Sequence, residues 1–350
     1  MFSPVYTVTA RLLASVSLIE RARGRIDAAR LAPEQANGLQ HHAQTEMIIA
    51  SAGLSDYLLT RPQIQAVLED QDVHAPARAI TEVRNAKATI EWARLRQLDG
   101  TPLTLDDICQ MHALFTENLG VDHEVGNFRA GPAVILNEYL GSAWGGYKAP
   151  PAGVVKDRMD ALMNWVAGAE TDPHPVIAAG IAHQEIAAIR PFTLGSGQVA
   201  RLVSRIVLGQ HGYSFRDGLA LGSYYLLNRT AYHVALDNGA SYLERARSSR
   251  DDWLDFYLRG LHNEVDRLTA MIAAFQVDGF EAGHPATMRR DEACLLAFAD
   301  EYGSLTKRDA ASILSPLPRR LVLKRLAALV DQGRLVADTS GEHVRYLLKH

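Results

Sequence analysis

The sequence predicts a mainly α-helical protein with one β excursion, followed by a small basic module of winged helix-turn-helix pattern. Three observations carry this. Apolar residues recur at helical spacing over most of the chain, a Gly- and Pro-rich interruption falls at residues 126–153, and the composition shifts near residue 280. With 350 residues, 47% of them apolar, the chain has material for two or three domains with buried cores, which excludes a disordered protein.

Taken in order, residues 8–31 run without proline into an Arg-rich polar face and read as a helix within an N-terminal helical region, residues 1–100. A core domain is expected over 101–276. Residues 126–153 inside it break the helical pattern. Gly126, Gly131, Gly141, Gly145, Gly146 and Gly153, with Pro132, Pro150 and Pro151, surround the β-prone run Val134–Leu136, which suits a hairpin with long loops. Val155, Met159, Leu162, Met163 and Val166 then draw one apolar stripe on a helix over 154–168. Pro173 and Pro175 separate it from a second helical run, Val176–Ile189. A short Gly-rich break, Pro191 to Gly197, precedes a helix with Leu202, Val203, Ile206 and Val207 on one face.

Residues 277–287, with Gly279, Gly283 and Pro285, read as a linker. Beyond them, residues 289–350 hold 11 Lys and Arg against 8 Asp and Glu, while the rest of the chain holds 25 against 32. Helices are expected at 291–302, 306–314 and Leu317–Gln332, the last carrying Arg319, Arg320, Lys324 and Arg325, before a β-like tail, Leu335–Leu347. This is the winged helix pattern, which leaves two readings open: DNA contact through the basic helix, or protein docking with those basics as a solvated face.

The net charge of −4 excludes a uniformly basic nucleic-acid coat. Cys109 and Cys294 form neither a disulfide framework nor a zinc spacing, so a reduced, cytoplasmic protein is expected. Arg11 interrupts the one N-terminal apolar run, which argues against a signal peptide. Val176–Ile189 carries His183, Gln184 and Glu185, so no membrane span is expected.

The segment from His183 to Arg201 is the most informative. Pro191 ends one helix and Gly195-Ser196-Gly197 opens the next, where backbone N–H groups converge at the positive end of the helix dipole. Arg201 lies one turn further, placed to close on a phosphate. By themselves these features fit a plain tight turn as well as an anion nest.

This segment resembles the signature loop of Fic-domain (Fido) proteins, His-Pro-Phe-x-(Asp/Glu)-Gly-Asn-Gly-Arg-x-x-Arg. Pro191, Phe192, Gly195, Gly197 and Arg201 match. Gly126-Asn127-Phe128-Arg129 resembles the start of the family's β-hairpin flap, and His183 matches a histidine common upstream. Asn228-Arg229-Thr230-Ala231-Tyr232 resembles the helix that helps wall the nucleotide base, which places Tyr232 at the ligand. The resemblance implies a Fic-type helical core with a flap that takes a protein or peptide as an added strand.

The departures bear on chemistry. The family's catalytic histidine is Arg190 here, which stays protonated and is no general base. The Mg²⁺-binding acid is Leu194, without a ligand atom. The Asn is Ser196, and the first signature Arg is Gln198. In the stretch Ala50–Asp56, which resembles the family's inhibitory helix, Ser55 stands at the Glu position; Asp56 and Glu46 are the acids left to meet Arg201. The expected site is therefore Arg190 and His183 at the catalytic position, and Phe192, Gly195, Ser196, Gly197, Gln198, Arg201 and Tyr232 around a nucleotide or other phosphate-bearing ligand. No metal is expected.

Two functional readings follow. One is a non-AMPylating pseudoenzyme, binding an anion or a partner and coupled to the winged helix. The other is a Fic-fold enzyme with metal-independent transfer or lyase chemistry that uses Arg190 and Arg201 as electrophilic clamps. Ordinary AMP transfer ranks below both, because it needs a base and a metal ligand that the loop lacks. Whether a second copy of the chain is also a partner stays open.

Overall fold

The computed structural model describes residues 2–55, 59–119, 124–135, 146–168, 173–280, 292, 295–296, 298–299, 303–314, 317–338 and 344–348. The expectations resting on Asp56, Leu136, Gly141, Gly145, Gly283, Pro285 and Cys294 lie outside the described residues. Two compact units partition the chain, Met1–Ile272 and Ala273–His350.

The first unit opens with α1 (Ala10–Ala28), α2 (Pro33–Leu54), α3 (Arg61–Leu68), α4 (Ala77–Leu98) and α5 (Leu105–Thr116). Thr104 caps α5 by accepting from the Asp107 N–H, and Asp107 in turn receives two bonds from the Arg96 guanidinium, at 2.8 and 2.9 Å. The glycine-rich stretch folds as expected into a short hairpin: β1 (Val134–Ile135) pairs antiparallel with β2 (Tyr147–Lys148). There follow α6 (Val155–Ala167), whose predicted stripe is buried at all five positions, α7 (Pro175–Ile189) and α8 (Ser196–Gln210). Next come α9 (Leu221–Leu227), α10 (Arg229–Leu236), α11 (Tyr242–Arg247) and α12 (Asp251–Phe280).

The centre of this unit is α7. Every residue of it but Ala187 is buried, so it is a core helix without a polar face, packed on α6 and α8. Its approach to α12 is close. A Cβ on Gly180 would stand 2.8 Å from the Tyr257 ring, and the Trp253 indole donates to the Gly180 carbonyl at 2.7 Å. Polar side chains of α7 are partly paired inside the core, with His183 Nδ1 and Gln184 Nε2 left without a partner. Glu185 pairs with buried Arg250 and accepts from the Tyr242 hydroxyl at 2.7 Å, and Gln184 accepts from Arg250 at 3.0 Å.

In the second unit, β3 (Leu305–Thr306), α13 (Lys307–Ile313), α14 (Arg319–Asp331), β4 (Leu335–Asp338) and β5 (Arg345–Leu348) surround their own apolar core, with Leu305, Leu326 and Leu329 fully buried. The sheet order is β3-β5-β4, antiparallel throughout. Sequence reasoning missed β3, a two-residue strand too short to show alternation. Of the four basic residues expected on the outer face of α14, Arg319, Arg320 and Lys324 are exposed. Arg325 is 4% exposed and turned into the core, a correction that follows from its position three residues after Val322 and four before Leu329. No helix among the described residues is long and apolar enough to cross a membrane.

Candidate functional site

The loop between α7 and α8 is fixed by how each helix ends. Arg190 takes a left-handed conformation (φ 50°, ψ 64°) as the C-cap of α7, and Pro191 then prevents continuation. Gly195 caps α8 at φ 86°, where a Cβ would also meet the His112 and Phe115 rings at 3.3 Å. Between them Ser196 closes a small ring: its hydroxyl accepts from the Phe192 N–H at 3.0 Å and donates to the Phe192 carbonyl at 2.8 Å. That hydroxyl is buried and committed. Ser196 therefore offers a ligand its backbone rather than its side chain.

Two residues that sequence reasoning left unassigned hold the loop from outside. Arg129, 3% exposed, donates Nε to the Arg190 carbonyl at 2.7 Å, Nη1 to Gly131 at 2.7 Å and Nη2 to Pro150 at 2.5 Å, while its own N–H bonds Pro191 at 2.9 Å. His112, 1% exposed, stacks on Phe192 with ring centroids 3.8 Å apart and 2° between planes. Its Nδ1 accepts from the Gly126 N–H at 3.1 Å, so Nε2 carries the proton and donates to the Leu194 carbonyl, also at 3.1 Å. Burial holds the His112 pKa down at about 4, which keeps the ring neutral. Arg129 was legible as part of the flap resemblance; nothing in the pattern of α5 singles out His112.

The first turn of α8 has no side-chain cap, so its N–H groups remain open. Arg201 lies beside it, with Nη1 3.5 Å from where a Cβ on Gly197 would stand. Arg190 lies in a cationic environment, with Arg129 and Arg245 as charged neighbours. Burial lowers its pKa; the Tyr147 phenol opposes this, and the Arg129 and Arg245 charges add to it. Neither Arg190 nor Arg201 has an acidic partner among the described residues. Glu46, the acid expected to meet Arg201, forms a two-point pair with Arg61 instead, at 2.5 and 2.8 Å. Gln198 does reach α2: its amide donates to the Ser55 hydroxyl.

His183 is placed otherwise than expected. It is fully buried among Tyr225, Tyr232 and Trp253, with Nε2 2.9 Å from the Tyr232 hydroxyl; burial, and then the Arg201 charge, push its pKa well down. Arg190, expected with it at the catalytic position, has already left the helix in a left-handed conformation. Tyr232 is likewise buried, and it serves this aromatic cluster rather than an open base-binding wall.

The family's divalent metal does not fit this loop. Leu194 supplies no side-chain donor, and its carbonyl is taken by His112. Glu124 contributes one carboxylate, held by the Thr193 hydroxyl at 3.1 Å. No group of three metal-ligating side chains occurs among the described residues.

Residues 102–208, from just before α5 to the end of α8, match the model of the Fic/DOC family. Over these residues the chain carries a Fic/DOC-type domain. The matched segment contains the loop, His112 and Arg129. A protein adenylyltransferase Fic from Nematostella vectensis is 29% identical over 115 residues, which are 32% of this chain and about a quarter (24%) of that relative. A crystal structure of a Fic family protein from Desulfovibrio desulfuricans G20 shares the fold over 99% of this chain and 98% of its own, at TM-score 0.66 and 24% identity. A Fic domain containing signaling protein from Bacteroides thetaiotaomicron VPI-5482 matches 77% of this chain and 97% of its own, at TM-score 0.62 and 20% identity.

Proposed function

We propose that this Fic domain carries a degenerate signature loop and binds an anionic ligand, a nucleotide or another phosphate-bearing molecule, without transferring AMP. The observation that carries the reading is the pair Arg190 and Arg201. Arg201 lies beside an uncapped helix start, Arg190 precedes it in the same loop with Arg129 and Arg245 as charged neighbours, and neither has an acidic partner among the described residues. Fixed cations beside open N–H groups form a preorganised anion site. The absent base and metal ligand speak against the activity in the name of the Nematostella relative. Arg190 cannot take a proton from a hydroxyl, and His183 is sealed behind three aromatic rings.

The second reading, metal-independent transfer or lyase chemistry, is favoured by the same two guanidiniums, which would stabilise negative charge developing on a substrate. The exposed basic residues Arg319, Arg320 and Lys324 support a winged helix that contacts DNA, so that ligand binding in the first unit would be read out on nucleic acid.

Calorimetry with ATP, ADP and AMP, with and without Mg²⁺, tests the main reading. Binding should not depend on Mg²⁺, and Arg201→Ala should weaken it by roughly 1.5–3 kcal/mol, the range for a charge-assisted hydrogen bond. Labelled ATP should leave no label on the chain or on added protein. Label incorporation that disappears in Arg201→Ala would refute the reading.

A further inference from the structure

Behind the loop, on the side facing α2, lies a cavity of about 60 Å³, walled by Met47, Ala50, Ile90 and Phe115 and by residues of α8 and α9. That is room for about four or five water molecules, or for a ligand of similar bulk. The polar groups on this wall do not balance one another. Tyr225 is 2% exposed and its hydroxyl has no hydrogen-bond partner. The Arg205 Nε is buried and equally without one, although the rest of that guanidinium bonds the Leu219 carbonyl and Asp217. Arg201, without an acidic partner, contributes a third donor from the loop side. The wall contains no Asp or Glu.

A buried phenol and a buried guanidinium N–H left unpaired each carry a desolvation cost that a suitable acceptor removes. The walls, by contrast, are aliphatic and aromatic. An occupant that answers both has a compact negative head with two acceptor oxygens and a short apolar tail. We propose that this cavity binds a small aliphatic monocarboxylate of about butyrate size, its carboxylate on Tyr225, Arg205 and Arg201 and its tail against Met47 and Ile90. A bulky phosphate ester does not suit it, because the space is small and most of its lining is apolar. This site shares Arg201 with the α8 N-terminus but adds Tyr225 and Arg205, and a chain that binds no nucleotide there would still take a carboxylate here.

The test uses the full chain with ¹³C-methyl methionine, the Met47 signal being assigned through Met47→Leu. Butyrate should shift that signal saturably, with a Kd of about 1 mM or tighter, and butyramide, of the same shape without the charge, should bind at least about tenfold more weakly. Ala50→Leu, which fills the cavity, should abolish the shift. Tyr225→Phe should weaken binding about tenfold while leaving stability unchanged or raised, since the hydroxyl it removes is unpaired. If Ala50→Leu does not fold, Tyr225→Phe decides. No Met47 shift at about 20 mM butyrate, an equal response to butyramide, or an unchanged response in Tyr225→Phe would each overturn the proposal.

Discussion

His112 makes the stability of the Fic loop depend on pH. The ring is 1% exposed, accepts from Gly126 and donates to Leu194, and only its neutral form can do both. Its pKa is held near 4, from an ordinary value of 6.5, chiefly by burial. A histidine with a depressed folded-state pKa takes up a proton more readily when unfolded. Its contribution is therefore complete above about pH 6.5 and is lost as the pH falls toward 4, to a total of about 3 kcal/mol. His112→Phe preserves the stack on Phe192 but leaves a buried N–H and a buried carbonyl unpaired, at about 1–3 kcal/mol each. In urea denaturation near neutral pH the variant should therefore be about 2–6 kcal/mol less stable. Between about pH 7 and 4.5 that gap should narrow by about 2.5 kcal/mol, because only the wild type loses the linkage term. A gap that does not change with pH, or an NMR titration that gives His112 an ordinary pKa, would refute this account of the loop.

The two loop glycines should respond in opposite ways. Gly195→Ala, at positive φ and against the His112 and Phe115 rings, should cost about 1–3 kcal/mol in thermal or chemical unfolding. Gly197→Ala, inside the first turn, should leave stability unchanged or raise it by up to about 1 kcal/mol, because its Cβ would make only ordinary contact with Arg201. Removing the partner of buried Glu185 with Arg250→Ala should destabilise the first unit by about 3–5 kcal/mol, read as a drop in melting temperature. If the C-terminal unit binds DNA, alanine at Arg319, Arg320 or Lys324 should each lower the salt slope by about one, whereas Arg325→Ala should change stability and leave the slope alone.

Much of the architecture was legible because it is written in local periodicity. The stripe Val155–Val166 specifies α6, and the proline-bounded apolar run specifies α7. The prolines and glycines at 191–197 locate the loop, since backbone torsions favoured by single residues need no distant partner to be recognised. The burial of Arg325 was legible in the same way, from its spacing to Val322 and Leu329, although charge alone suggested an outer face.

The amino-acid sequence by itself determined where helices start and stop, that a glycine-opened helix follows the core helix, and which residues stand at the loop positions, Arg190 and Leu194 among them. Only the tertiary structure decided what those residues face. Arg129 reaches the loop from some 60 positions away and His112 from 82, and His183 is enclosed by Tyr225, Tyr232 and Trp253, contributed by three later helices. Glu46 turns to Arg61, and so leaves Arg201 without the acid that spacing along the chain had offered it. Such pairings depend on which helices pack together, and that is set by the burial of many apolar faces at once rather than by any local pattern.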